Sequence, residues 1–118
     1  MDDATINNAY AVSGGPKSMM SRREVLDRAN QCVNGDREGS YGSPESNFNR
    51  IAKMWNAYLG FGANTYPPEL KGSDVAAMLA LLKIARIGSG KYKDDNWIDL
   101  AGYAACGGEL QSMEDDDE

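Results

Sequence analysis

Histidine is absent from this chain of 118 residues. That gap removes Ser-His-Asp and Cys-His nucleophilic catalysis and every metal site built on imidazole. Any chemistry has to come from carboxylates, lysine, arginine, tyrosine or a metal held by oxygen. Cysteine is scarce: Cys32 and Cys106 stand apart with no Cys-x-x-Cys spacing, which argues against a zinc site. Both fall in apolar helical stretches, so each is expected to pack as a small hydrophobe. No apolar run approaches the roughly 20 residues of a membrane span. The start, Met1-Asp2-Asp3, lacks a basic n-region and an apolar h-region, so no secretory signal is expected and the cytoplasm is the expected compartment. A basic excess is also missing. The formal net charge is −6, and the five acids Glu114 to Glu118 supply most of it, leaving the remainder close to neutral. Broad nucleic-acid binding, which needs a basic surface to displace counterions, is therefore not expected.

What is present fits one small all-α domain, a four-helix bundle-like unit with one modest core. Residues 1–20 hold Asn7-Asn8 and Ser13-Gly14-Gly15-Pro16 with no sustained apolar period, and are expected to be a flexible arm. Residues 21–113 are expected to form the helical domain. The like charges of residues 114–118 predict a disordered acidic tail. A first helix opens at the capping box Ser21-Arg22-Arg23-Glu24, carries Val25, Leu26, Ala29, Cys32 and Val33 on one face, and stops at Asn34-Gly35. A second opens at Ser43-Pro44-Glu45, carries a stripe from Phe48 through Ile51, Ala52, Trp55 and Tyr58 to Leu59, and ends at Gly60. Pro67-Pro68 keeps residues 60–72 a loop. A third, opening at Ser73 or Asp74, is apolar nearly all round and is expected to be central. A fourth follows Asp94-Asp95, with Gly107-Gly108 expected either to serve close packing or to fray its end. Trp55, Tyr58, Trp97 and Tyr103 fall on stripes that predict core packing. The short link between the third and fourth helices predicts antiparallel neighbours.

Two stretches combine residue types that carry chemistry. Lys83 and Arg86 stand at i, i+3 near the end of the third helix, and Asp95 and Asp99 at i, i+4 on the fourth. The hairpin lets these cations face these carboxylates. One outcome is an ion-pair network that fixes helix register, because charges in an apolar setting must be paired. The other is a pair of carboxylates that binds Mg²⁺ through oxygen, with Lys83, Arg86, Lys91 and Lys93 holding phosphates. The second stretch is the loop Gly35 to Ser43, which leads into a helix N-terminus where free N–H groups suit an anion. Arg37 is placed to contact a phosphate and Tyr41 to stack on a base; an ordinary loop with Tyr41 packed over the core explains the same residues. Asn47 and Asn49 lie about 160° apart on the second helix, so only one is expected to face a site.

Three segments together resemble a family of small phage and prophage proteins. They run from Gly35-Asp36-Arg37 through Tyr41-Gly42-x-Pro44 to Asn47-Phe48-x-Arg50-Ile51-Ala52; from Asp74-Val75-Ala76 to Leu81-Leu82-Lys83-Ile84-Ala85-Arg86; and from Asp94-Asp95-Asn96 to Asp99-Leu100-Ala101-Gly102-Tyr103-Ala104. A more distant resemblance is to the MazG-like all-α nucleoside triphosphate pyrophosphohydrolases. Those enzymes hold Mg²⁺ with Glu-x-x-Glu on one helix and Glu-x-x-Asp on the next. Here Glu45 has no second acid three or four residues on. The resemblance implies a Mg²⁺-dependent pyrophosphohydrolase in the host cytoplasm, though the full four-carboxylate pattern is not evident here. Joined to the reading of the residues, it gives metal held by Asp95 and Asp99 with Asp74 or Glu45, catalysis by Asp95 and Asp99, and ligand contacts from Arg37, Tyr41, Asn47, Lys83, Arg86 and Lys91. A non-catalytic nucleotide-sequestering protein of counter-defence, or a protein inhibitor of a host enzyme, are the alternatives. Bundles of this size often need a second copy to complete a core, so a homo-oligomer is expected.

Overall fold

Ser21 and Ser43 decide where the first two helices begin. In the computed structural model, which describes residues 19–35 and 42–116, four helices follow one another: α1 (Arg22–Asn34), α2 (Pro44–Leu59), α3 (Gly72–Gly88) and α4 (Asp94–Asp116). Among the described residues there is no strand. The Ser21 hydroxyl accepts from Glu24 N at 3.0 Å while Ser21 N donates back to the Glu24 carboxylate at 3.1 Å, closing the expected capping box. Ser43 caps α2 by accepting from Ser46 N at 3.1 Å, with Pro44 at the first helical position. Gly60, at φ 76°, takes the left-handed conformation that ends α2.

α3 starts at Gly72, one or two residues before the expected Ser73 or Asp74. Lys71 N donates to Asp74 Oδ2 at 2.8 Å, so the Asp74 carboxylate closes the first turn from within. A Cβ added at Gly72 would stand 2.5 Å from Asn49 Oδ1, which fixes how closely α3 approaches α2. The loop between them is held by Asn56, whose amide donates to Leu70 O at 3.0 Å and accepts from Leu70 N at 2.7 Å. Thr65 braces the same loop: its hydroxyl accepts from Gly62 N and has the carbonyl oxygens of Gly62 and Pro67 within reach of its one hydrogen, each at 2.9 Å.

The central element is α4, not α3. α4 packs against α1, α2 and α3, whereas α3 packs on α4 and α2. The core gathers Phe48 and Ala52 of α2, Val75 and Ala76 of α3, and Cys106 and Leu110 of α4. Its small side chains let the helices come close. A Cβ on Gly107 would lie 3.2 Å from the Ala76 methyl, and one on Gly102 would lie 3.3 Å from Val33 Cγ1. Close packing therefore explains both glycines, and α4 continues unbroken through Gly107 and Gly108.

Four expectations are corrected. α3 is not buried all round: Leu81 is 62% exposed and Ile84 51%, because α4 and α2 cover only one side of it. Tyr58 and Trp97, expected in the core, are outside it, Tyr58 almost wholly in solvent and Trp97 partly covered, while Trp55 and Tyr103 flank the core as foreseen. Cys32 is exposed, unlike Cys106. The acidic run is not a free tail from residue 114, since the helix continues to Asp116. Glu114 accepts from Ser73 N at 3.1 Å and from the Ser73 hydroxyl, tying the end of α4 to the start of α3. The proposed arm up to residue 18, and Asp117 and Glu118 at the other end, lie outside the described residues. No helix is long and apolar enough to cross a membrane among the described residues.

Leu110 is 2% exposed and Leu26 is 63% exposed, although both sit on apolar stripes. Leu110→Ala should cost about 2–5 kcal/mol of unfolding free energy, and Leu26→Ala about 0.5 kcal/mol or less. Urea titration followed by circular dichroism measures both, and similar losses would contradict the assigned core.

Candidate functional site

Where α1, α2 and α4 meet, the helices leave a cavity of about 270 Å³. Its apolar wall is an aromatic pair, Phe48 of α2 set edge-on to Tyr103 of α4 with ring centres 6.3 Å apart and planes at 83°. Two polar side chains reach the same space, Asn47 from the first turn of α2 and Asp99 from the second turn of α4. Cys32 closes the α1 edge, which explains its exposure: it borders a space rather than a neighbouring side chain. A shallower depression of about 230 Å³ shares Cys32, Ile98 and Asp99 with the cavity and adds Arg28, Gln31 and Asp95.

Two ion pairs organise the charge. Lys83 Nζ lies 2.9 Å from Asp99 Oδ2, with the lysine side chain only 11% exposed. A nearly buried ammonium needs a partner at this distance, and the antiparallel α3–α4 contact delivers one. Arg28 Nη1 lies 3.5 Å from Asp94 Oδ2, joining α1 to the start of α4. Beside it, Tyr92 has its phenol pushed up to about 12, first by partial burial, then by its hydrogen bond to Asp94 and by the negative charge of that carboxylate.

The structure brings together some of the residues singled out from sequence and not others. Asn47 and Asp99 face the cavity, Lys83 holds Asp99, and Asp95 shares the adjoining depression with Asp99. Asn49 instead turns to the start of α3, so only one of the two asparagines faces the site. Asp74 stands nine residues before Lys83 on α3, roughly 13 Å along the helix axis, with its carboxylate engaged by Lys71 N. The antiparallel hairpin sets Asp95 beside the other end of α3, so Asp74 and Asp95 are kept apart. Glu45 is exposed in the first turn of α2, where an acid favours the helix start, and does not line the cavity. The set Glu45, Asp74, Asp95 and Asp99 is thus not assembled around one point. Among the described residues, no three of His, Cys, Asp and Glu cluster as metal ligands would. Arg86 and Lys91 are exposed and line neither space. Arg37 and Tyr41 lie outside the described residues; Tyr41 immediately precedes Gly42, which borders the cavity.

Sequence reading missed the α1 contribution. Arg28, Gln31 and Cys32 stand at i, i+3 and i+4, a spacing that puts them on one side of the helix, and that was the available signal.

Two measurements test these electrostatics. Tyr92 is held neutral in the fold, so its share of stability is present below pH 10 and is lost as pH rises from 10 to about 12. Phenolate absorbance should show one tyrosine titrating late, and Tyr92→Phe should remove that step. Asp99→Asn strands the Lys83 ammonium and should cost about 1–3 kcal/mol in urea unfolding, discounted because Asp99 is partly exposed. Lys83→Met leaves a carboxylate that water can reach and should cost clearly less; the reverse order would contradict the burial assigned to Lys83.

By sequence, the chain is similar to phage proteins. The Gene 55 protein of Mycobacterium phage L5 is 39% identical over 92 residues, covering 78% of this chain and 55% of that protein. The Gene 55 protein of Mycobacterium phage D29 is 37% identical over 82 residues, covering 70% of this chain and 50% of that protein. The chain therefore spans about half the length of the curated relatives it matches. No solved structure matches it. A family model described as a domain of unknown function (DUF6378) matches residues 24–111, from the capping box of α1 to the last turns of α4, and the chain belongs to that family.

Proposed function

We propose that the protein binds a nucleotide or a nucleotide-derived small molecule in the cavity between α1, α2 and α4, and holds it without cleaving it. The observation that carries this reading is the composition of the cavity: an aromatic wall facing one carboxamide and one carboxylate. The Asn47 amide offers a donor and an acceptor, and Asp99 offers acceptors. That combination complements the polar edge of a nucleobase, whose amino groups and ring nitrogens also alternate donor and acceptor. Lys83 offsets the charge of Asp99, so a neutral base meets no isolated anion. A space of about 270 Å³ suits a base better than a whole nucleotide, since small-molecule pockets usually start near 300 Å³. The sugar and phosphates would then extend over the adjoining depression, where Arg28 and Gln31 supply donors. The dispersed acids favour holding over cleavage.

One observation favours a second reading. Asp95 and Asp99 border the same depression, as two carboxylates that bind Mg²⁺ between protein and phosphate would. On that reading Asp95 and Asp99 would hold the metal, which would supply charge neutralisation for hydrolysis of a nucleoside triphosphate to a monophosphate and pyrophosphate.

A thermal-shift panel of nucleotides, with and without Mg²⁺ and followed by product analysis, separates the readings. Binding to the native state alone stabilises by about 2.7 kcal/mol at a hundredfold excess over Kd. The expected result is a shift with the nucleotide recovered intact, and a loss of about tenfold or more in affinity for Asn47→Leu, whose partner on the base is left unpaired. Steady release of monophosphate and pyrophosphate, abolished in Asp99→Asn while the helical spectrum persists, would replace holding with hydrolysis. Failure of every nucleotide to shift the transition would refute both.

A further inference from the structure

The outer side of the α3–α4 hairpin carries a second apolar surface that the core does not use. On α3, Ala77, Leu81, Ile84 and Gly88 are all exposed and follow one another at intervals of four, three and four residues. On α4, Trp97, Ala101, Ala104 and Gly108 repeat the same intervals, with Trp97 44% exposed and Ala101 half-buried. That spacing is the seam of helices that pack side by side on another pair. Neither seam contains a charged residue. The core-facing residues lie elsewhere on the same helices: Val75 and Ala76 on α3, and Ile98, Cys106 and Leu110 on α4.

The two seams run alongside each other. Lys83 bonds Asp99 and Gly107 abuts Ala76, which fixes the antiparallel register. In that register Leu81 is level with Ala101, and Ala77 with Ala105 and Cys106. Both seams lie away from α2, whose Phe48 and Ala52 occupy the opposite side of the hairpin. Large exposed apolar surfaces of this kind mark an interaction site.

We propose that a second copy of this chain covers this surface, pairing the two hairpins about a twofold axis near Leu81. Size and shape favour that occupant. α3, of 17 residues, is about 25 Å long, and two neighbouring helices present a strip roughly 20 Å wide. The strip offers on the order of 500 Å² per copy and about 1,000 Å² for the pair, the threshold at which an interface becomes specific. A twofold contact requires one patch to both project and receive. Here Leu81, Ile84 and Trp97 project, and Ala77, Ala104 and Gly108 receive. Antiparallel pairing about Leu81 sets Ile84 of one copy across from Ala77 of the partner subunit, large against small. Because the seams are uncharged, the net charge of −6 brings no like-charge contact into the interface. The paired hairpins form a four-helix layer, with the cavity of each protomer on the far side from the interface.

Sedimentation of the full chain without any ligand tests this independently of the nucleotide reading. The expected result is a dimer of the 12.8 kDa chain at about 100 μM, and at least a tenfold weaker association in Leu81→Glu, which sets two carboxylates near the axis. Leu81 is 62% exposed, so the variant should keep its helical spectrum. If it does not, Ala104→Arg on the neighbouring seam asks the same question with the same expectation. A wild-type monomer at that concentration would overturn the proposal and assign the surface to a different protein or to another segment of this chain. A dimer that both variants leave intact would overturn it equally, by moving the interface to another face.

Discussion

A single ammonium–carboxylate contact governs how the two longest helices lie on one another. The Lys83 side chain is nearly buried, a setting in which an ammonium is costly without a partner, and Asp99 supplies one at 2.9 Å. Slipping the hairpin by one turn in one direction would set Tyr103 against the lysine and leave it unpaired, and in the other would offer it Asp95 in place of Asp99, so the pair narrows the registers that the alanine- and glycine-rich contact would otherwise tolerate. The same register has two further consequences. It seats Gly107 against Ala76 in the core, and it brings the carboxylate of Asp99 to the cavity beside Asn47. The alternatives offered by the sequence, a structural ion pair or a site residue, are therefore not exclusive at Asp99, which borders the cavity while bonded to Lys83.

The rest of the domain follows from how small the core is. Ala29, Ala52 and Ala76 are buried, with few large side chains between the helices. Stability then depends on close approach and on polar ties at the ends of elements. Asn56 fastens the 60–72 loop, Glu114 fastens the end of α4 to Ser73, and Arg28 fastens α1 to Asp94.

Local signals in the sequence were read more fully than distant ones. Ser21 with Glu24, and Ser43 with Pro44, encode their helix starts within four residues, and the structure has both. The placement of the helical faces was harder. α3 is apolar on most sides, so its composition cannot say which side faces inward, and centrality was assigned to it instead of to α4. The acid run looked like a solvated tail because Glu114 finds its partner, Ser73, 41 residues away. The metal set failed to gather for a similar reason: Asp74 and Asp95 belong to opposite ends of a hairpin, and only the fold distinguishes one end from the other. Asn47 and Asp99 were recognised individually, whereas the α1 wall of the cavity, Arg28, Gln31 and Cys32, depended on knowing that α1 rests on α4. The likeness to phage proteins was visible in three ordered segments, and the relatives from two mycobacteriophages agree with it.

The glycines of α4 tie folding to assembly of the cavity. Each interior glycine lowers intrinsic helicity by about 1 kcal/mol relative to alanine, and this helix carries Gly102, Gly107 and Gly108 within seven residues. Isolated from its neighbours, the segment would be mostly coil, because most helical stability in proteins comes from tertiary packing and this composition adds little of its own. Docking against α1 and α3 is what makes it helical. One wall of the cavity, with Asp99 and Tyr103, thus exists only while those neighbours are in place. Separation of α1 or α3 from α4 dissolves the wall along with the contact. Occupancy of the cavity and amide exchange along the middle of α4 then become two views of one cooperative equilibrium.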